Sequence, residues 1–436
     1  MHKSIILNKC SFLEVLREYK MLLGTNNLQT YLEAQSEEID EWFKAKLNYL
    51  EKASIPIPLY SSFDIRDSGY KSSIVDSNIF PSGFNNLDLK SRNYASIQFK
   101  KYLQSISKEK NILIISENHT RNRNYYSSLN VLSQILDKEK FKTYYGFVNG
   151  DLRIDSKYVL NNERETLKIE KIFRNQNKIY TESFQDGIII LNNDLSLKKP
   201  EILDKICQPI IPPVSLGWYN RKKSTHFQYY NELITELASL TSFDPWLLET
   251  LFTHVDEVDF KNKNSLEVVA KAVDIIIEKV AKKYEEYNIN EKPTVFIKNN
   301  SGTYGLGILV VSSGEEVINI NSKKRKRMIS GKQGSKINSV LIQEGIPTCY
   351  FENNHPAEPI IYNVGKESVG GFMRINTLAD KYENLNKKGM IFKKIVKNNL
   401  TEPVILKNGK FSIYLMLAKI AVLAIGNEQI HGRITE

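Results

Sequence analysis

KNNSGTYGLGILVV, residues 298 to 311, is the stretch on which the fold turns. Gly302, Gly305 and Gly307 follow Lys298 and precede an unbroken aliphatic, β-branched run. Gly302 and Gly307 have the G-x-x-x-x-G spacing of a P-loop, yet Ile308 and Leu309 stand where that loop needs lysine and serine or threonine. A P-loop also feeds a helix, whereas ILVV favours a strand. The predicted local shape is strand, glycine loop, strand, with the loop as a flap. Protein kinases share that shape, but their lysine comes from a later strand, and neither HRD nor DFG occurs here. A triphosphate needs backbone N–H groups brought close, which glycine permits for want of a Cβ, and a cation, which Lys298 can supply. A plain hairpin with a glycine-rich turn is the alternative.

Further along, SVLIQEGIP (339 to 347) is an apolar strand running into Gln343, Glu344, Gly345, Ile346 and Pro347. The proline ends the strand by removing a ladder donor, leaving a hinge whose backbone groups suit an adenine edge. TVFIK, GILVV, SVLIQ, PIIYNV and GGFMRI all read as strands after residue 294. Upstream, residues 224 to 240 and 264 to 287 carry helical spacing; Val268, Val269, Ala272, Val273, Ile276, Ile277, Val280 and Tyr284 form one stripe.

In the first half, residues 8 to 52 predict two helices broken near LGTNN. Residues 55 to 94 are polar and aromatic with little regular pattern. NILII (111 to 115) predicts a buried parallel strand, 127 to 136 a following helix, and GIIILNND (187 to 194) a second strand with a polar end. The proline-rich QPIIPPVSLGW (208 to 218) reads as a boundary. The expected fold class is α/β (α+β), with an N-terminal α/β substrate domain over 1–215 and a nucleotide-binding, catalytic domain over 216–436.

The totals fit such an enzyme. The chain has 436 residues, 41% hydrophobic and 25% charged, enough for two or three lobes with full cores. Cys10, Cys207 and Cys349 are scattered, which supports neither a disulfide framework nor a zinc site and suits a reducing cytoplasm. No stretch reaches the length of a membrane span; YLMLAKIAVLAIG (414 to 426), interrupted by Lys419, reads as a buried helix. A net charge of +10 fits either a nucleic-acid binder or an enzyme of polyanionic substrates. SKKRKR (322 to 327) has the composition of a localisation or nucleic-acid patch but reads rather as a solvated helix start or loop beside a nucleotide site, and no arginine-aromatic interleaving of a single-strand binder is present.

The succession of lysine strand, glycine flap and QEGIP hinge resembles the ATP-grasp enzymes. More narrowly, IRDSGYKSSIVDSNIFPSGFNNL, SENHTRN, LNNDLS, GWYNRKKSTHF, DPWLLETLF, IKNNSGTYGLGI, IQEGIPT, AEPIIY and VGGFMRINT, in that order, resemble the proteobacterial glutamate-cysteine ligases first recognised in iron-oxidising bacteria. The resemblance implies ATP-dependent formation of γ-glutamylcysteine from L-glutamate and L-cysteine, the first step of glutathione synthesis, in the cytoplasm. It implies magnesium as cofactor and neither nucleic acid nor membrane as partner. An ATP-grasp ligase with another acceptor amine would carry the same nucleotide motifs. The ATP-grasp likeness implies that Lys298 and a second lysine, Lys223 or its neighbour Lys222, meet phosphate. Ser301, Gly302, Thr303, Tyr304, Gly305 and Gly307 would form the flap, and Gln343, Glu344, Gly345 and Ile346 the adenine hinge.

Phosphoryl transfer to a carboxylate needs positioning and charge neutralisation more than covalent help. Arg374 and Asn376 share a face of the GGFMRIN strand and are the catalytic candidates beside Lys298. Glu358, Glu383 and Asn386 are the magnesium candidates, because that ion takes oxygen ligands; Glu383 and Asn386 would meet if their segment were helical. SENHTRN follows a strand, so Asn118, His119, Arg121 and Asn122 sit at a strand end as substrate ligands, with Arg121 for a carboxylate. Arg66 and Lys71 join them, from a cluster with Asp64, Asp76, Asn78, Asn85 and Asn86 that is too polar for a core. Trp218 and Trp246 read as packing residues.

Overall fold

The expected hairpin forms: Val295–Asn299 and Ile308–Val311 pair antiparallel, with Lys298 opposite Ile308. This computed structural model describes residues 23–117, 123–148, 157–160, 165–196, 198–302, 307–329, 337–395 and 412–435. Gly307 closes the base of the hairpin with a φ of +66°, and a Cβ there would come within 2.5 Å of the Ile337 side chain, so both backbone and space demand glycine. The hairpin belongs to a four-stranded antiparallel sheet in the order Phe252–Val255, Val340–Glu344, Val295–Asn299, Ile308–Val311.

A second sheet is mainly parallel, as the apolar runs predict: Asn111–Ser116 lies between Ile188–Asn192 and Lys142–Phe147, with Ile210–Ile211 and Glu165–Lys171 outside them. Its central strands are covered by helices such as Leu89–Ile106 and Arg123–Asp137, whose apolar residues join one cluster with Ile112, Ile114, Ile188 and Ile190.

The third sheet was not expected. It runs Met390–Lys394, Glu367–Asn376, His355–Val364, Tyr60–Asp67, Ser72–Asn78, with Tyr350–Glu352 also on His355–Val364. Two of its strands come from the stretch read as irregular; they pair with each other, and the first also pairs with a strand some 300 residues later, Asp64 opposite Ile360 for instance. A domain boundary at 215/216 therefore cuts through the hydrogen-bonded ladder of this sheet.

Thr25–Glu33, Ser36–Lys52, Lys223–Thr241, Lys263–Tyr287 and Ile413–Thr435 share one apolar core with the antiparallel sheets. In Lys263–Tyr287 the buried stripe passes through Leu266, Val269, Val273, Ile276, Val280 and Tyr284, leaving Val268 53% exposed, a correction to the predicted face. Ile413–Ile430, apolar enough to cross a membrane, is 72% buried and acts as a core helix. Ser322–Ile329, carrying SKKRKR, buries Met328, half-buries Arg325 and Ile329, and is otherwise solvated.

Candidate active site

One face of the third sheet carries most of the polar chemistry. Alternation puts Ser62, Asp64 and Arg66 on one side of their strand, while Phe63 and Ile65 enter the core on the other. In register beside them stand Asp76 and Asn78 on one flank, and Glu358, Ile360 and Tyr362 on the other. Phe372 and Arg374 follow, with Met390 and Phe392 on the edge strand. The face is lined by two adjoining cavities. The narrower, ≈50 Å³, is bounded by Arg66, Asp76, Lys223, Lys298, Gly302, Gln343, Glu344 and Ile346. The wider, ≈240 Å³, reaches Asn78, Glu117, Asn192, Asp194, Trp218, Tyr362, Phe372, Arg374 and Phe392. Asp64 and Asn386 border both.

The narrow cavity brings together six of the residues expected around a nucleotide, Lys223, Lys298, Gly302, Gln343, Glu344 and Ile346. Lys298 Nζ is buried, donating to Val75 O at 2.8 Å and to Gln343 Oε1 at 2.6 Å. Burial pushes its ammonium down to about 8; Asp76 opposes the shift, and Lys223 and Arg66 add to it. Of the two rival lysines Lys223 lines the cavity: it opens the helix Lys223–Thr241, is buried and paired with Asp76, and lies 4.7 Å over the Trp218 ring, whereas Lys222 is exposed. The Asp76 carboxyl is held down at about 2: burial raises it, but Lys223 and Lys298 outweigh that effect.

The hinge is a close fit: a Cβ on Gly345 would sit 2.8 Å from the Thr294 carbonyl oxygen. Gln343 Nε2 is buried at this cavity with no hydrogen-bond partner among the described residues. Glu344 is anchored from behind. Its carboxylate accepts from Lys71 at 2.9 Å, from Trp246 Nε1 at 3.1 Å and from Leu251 N at 3.1 Å. Lys71, expected among the substrate ligands, is instead 1% exposed, lies 4.3 Å over the Trp246 ring and borders neither cavity. The SGYK turn carries it behind the hinge.

Between the cavities runs a chain of buried charges. Arg374 Nη1 donates to Asp64 Oδ2 at 2.5 Å and to Glu358 Oε1 at 2.7 Å, and Glu358 Oε2 accepts from Arg66 Nε. Among the described residues Arg374 Nε, itself buried, has no hydrogen-bond partner. Burial raises the Asp64 carboxyl, with Arg374 opposing and Glu358 and Asp76 adding. Glu358 moves the other way, since its two arginines outweigh its burial.

Besides Lys71, three assignments change. Arg66 borders the narrow cavity, but it donates to the carbonyls of Lys381 at 3.2 Å and Glu383 at 2.7 Å, so it clamps that loop to the sheet. Asn376, fully buried, donates to Leu385 O at 3.0 Å and Lys387 O at 3.3 Å and does not reach a cavity; it holds the loop that presents Asn386. Glu383 is not brought to Glu358. Its segment is turns rather than helix, and its carboxylate accepts from Lys387 at 2.7 Å and Asp380 N at 3.0 Å. Ser301 donates to Arg221 O at 2.9 Å beside the flap base. Thr303, Tyr304, Gly305, Asn118, His119, Arg121 and Asn122 lie outside the described residues.

Sequence reasoning passed over Trp218, which borders the wide cavity, and Asn384, which borders the narrow one. A tryptophan next to RKK was a usable signal, because Arg221 and Lys223 both stack on it.

A glycine hairpin beside buried lysines, whose cavity shares Asp64 and Asn386 with a second polar cavity, is the arrangement of an ATP-dependent ligase, which must bring nucleotide and acid to one seam. The chain belongs to the glutamate-cysteine ligase family (GshA), whose model matches residues 29–429, and it is accordingly an ATP-dependent glutamate-cysteine ligase of glutathione biosynthesis. It is similar to a crystal structure from Methylobacillus flagellatus KT that carries the assignment gamma-glutamylcysteine synthetase, with 31% identity, 94% of this chain and 97% of that one covered, and a TM-score of 0.83. A D-alanyl-alanine synthetase A from Vibrio cholerae O1 biovar eltor matches at 9% identity over 74% of this chain and 82% of its own, with a TM-score of 0.33, too distant to carry argument. No curated protein matches the chain.

Proposed function

We propose that the narrow cavity takes ATP, the wide cavity takes the two amino acids, and the γ-carboxylate of glutamate meets the γ-phosphate where Asp64, Glu358, Arg374 and Asn386 converge. The observation that carries this reading is that Asp64 and Asn386 border both cavities. Lys298 and Lys223 neutralise the phosphates, and the hairpin closes over them. A carboxylate oxygen attacks the γ-phosphorus and ADP leaves, giving γ-glutamyl phosphate. The amine of cysteine then forms the C–N bond, the C–O bond to phosphate breaks, and phosphate departs with the amine's proton. Arg374, fixed through Nη1, has its unpartnered Nε to offer to the oxygen that gains charge in both steps.

Among the described residues no group of three or more His, Cys, Asp or Glu is arranged to grip a metal. That donor set suits a magnesium ion arriving on the nucleotide, which needs only one or two protein oxygens besides phosphate and water. Asp64, Glu358 and Asn386 are the residues that would hold it; the ion would supply charge neutralisation on the transferring phosphoryl group.

The test is product formation. With ATP, magnesium and both amino acids the protein should release ADP and γ-glutamylcysteine. With glutamate and hydroxylamine in place of cysteine it should yield the γ-hydroxamate. Absence of hydroxamate together with normal dipeptide formation would refute the acyl phosphate.

A further inference from the structure

Taking the wide cavity as the amino-acid site, we infer that its aromatic corner, formed by Tyr362, Phe372, Met390 and Phe392, receives the thiol of the acceptor and selects cysteine. The corner is built, not incidental. Phe372 packs edge-on to Phe392 with ring centroids 5.1 Å apart, and Tyr362 lies 5.4 Å from Phe372. All four residues border the same cavity as Arg374. The Tyr362 hydroxyl is committed to the Ser82 carbonyl at 2.5 Å, so the corner turns ring surface inward.

Register fixes how near this corner is to the chemistry. Phe392 is the direct cross-strand partner of Arg374, and Phe372 precedes Arg374 by two residues on the same face. Directly opposed residues have Cβ atoms about 5 Å apart. In cysteine the amine nitrogen and the sulfur are three bonds apart. An amine placed to attack an acyl group beside Arg374 therefore leaves its sulfur in reach of these rings.

The chemistry of the substrates decides which of them uses it. Glutamate ends in charged groups, and the far arm of the cavity, with Glu117, Asn192 and Asp194, suits its ammonium end. The thiol is the only soft, weakly hydrated group on either amino acid. Sulfur gains from aromatic edges, whereas a serine hydroxyl there loses its hydration without an equal return.

The test uses Phe392, a partly exposed edge residue whose truncation leaves the core intact. Steady-state kinetics with cysteine and with serine as acceptors would be compared for wild type, F392A and F392Y. F392A should raise the KM for cysteine by about threefold to tenfold, the range of one sulfur–aromatic contact. It should lower the cysteine-to-serine ratio of kcat/KM by a similar factor. KM for ATP and for glutamate, and the rate of glutamyl hydroxamate formation, should stay within about twofold, and F392Y should restore the cysteine preference. A rise in the glutamate KM with cysteine unaffected would give the corner to glutamate and overturn the inference. An unchanged cysteine-to-serine ratio would overturn it too. Failure of the wild-type protein to form any hydroxamate would strike at the acyl-phosphate reading beneath it, and is read separately from the acceptor ratio.

Discussion

Lys298 makes ATP affinity depend on pH in a way that can be worked out in advance. Burial moves its ammonium from the ordinary lysine value of 10.5 to about 8. Phosphate binding needs the charged form, so the free enzyme is fully competent only below that value. At one pH unit above 8 about nine tenths of the lysines are neutral, and the Kd for ATP should be about tenfold weaker, because each unit is worth about 1.4 kcal/mol. The assay is calorimetric titration of ATP with magnesium from pH 6.5 to 9.5, without amino acids, so that neither cysteine nor glutamate adds a titration of its own. K298R should keep measurable binding and lose the alkaline limb, since a guanidinium stays charged throughout. Stability of the ligand-free protein runs with the opposite sign. A lysine lowered by folding leaves the unfolded chain holding more protons between pH 8 and 10.5, so stability rises with pH across that window, by up to about 3 kcal/mol. A wild-type Kd that is flat between pH 7 and 9.5, or an alkaline limb that survives in K298R, would show that the Lys298 ammonium is not what holds the phosphates.

Three further outcomes follow from buried pairs. K71M removes the cation from a fully buried carboxylate; with Trp246 and Leu251 still donating to Glu344, urea unfolding should show a loss of about 3 kcal/mol, and a loss below about 1 kcal/mol would mean those two donors suffice. K223A should weaken ATP binding by at least about tenfold, the worth of one charge-assisted contact, whereas K222A, at an exposed position, should change it less than about twofold. Glu428, which accepts from Arg221 at 2.7 Å and from His226 at 2.5 Å, is held at about 2, its burial outweighed by Arg221 and His226. Its stabilisation is present above its unfolded value and lost as pH falls through 2. The stability gap between wild type and E428Q, followed by circular dichroism, should therefore shrink between pH 4.5 and 2.

The same buried charges explain where the sequence could be read and where it misled. Apolar runs such as NILII, GIIIL and SVLIQ announce strands because both of their faces enter cores. Residues 60–67 are just as buried and 72–78 partly so, but only their Phe63, Ile65 and Ile74 side is apolar. Their other side carries Asp64, Arg66 and Asp76, whose burial is tolerable only because each meets an opposite charge contributed by a segment far away in sequence: Arg374, Glu358 and Lys223 respectively. Pattern within a window cannot register such a partner, so a site-bearing strand looks like a polar loop. Asn376 and Lys71 failed as site residues for the complementary reason. A polar side chain predicted on the right strand or turn is equally able to satisfy backbone carbonyls or a buried carboxylate, and only the fold decides between them. Lys298 is where the two cases part: its strand was legible from TVFIK, while the absence of a carboxylate among its hydrogen-bond partners, Val75 O and Gln343 Oε1, is what leaves its charge available to a phosphate.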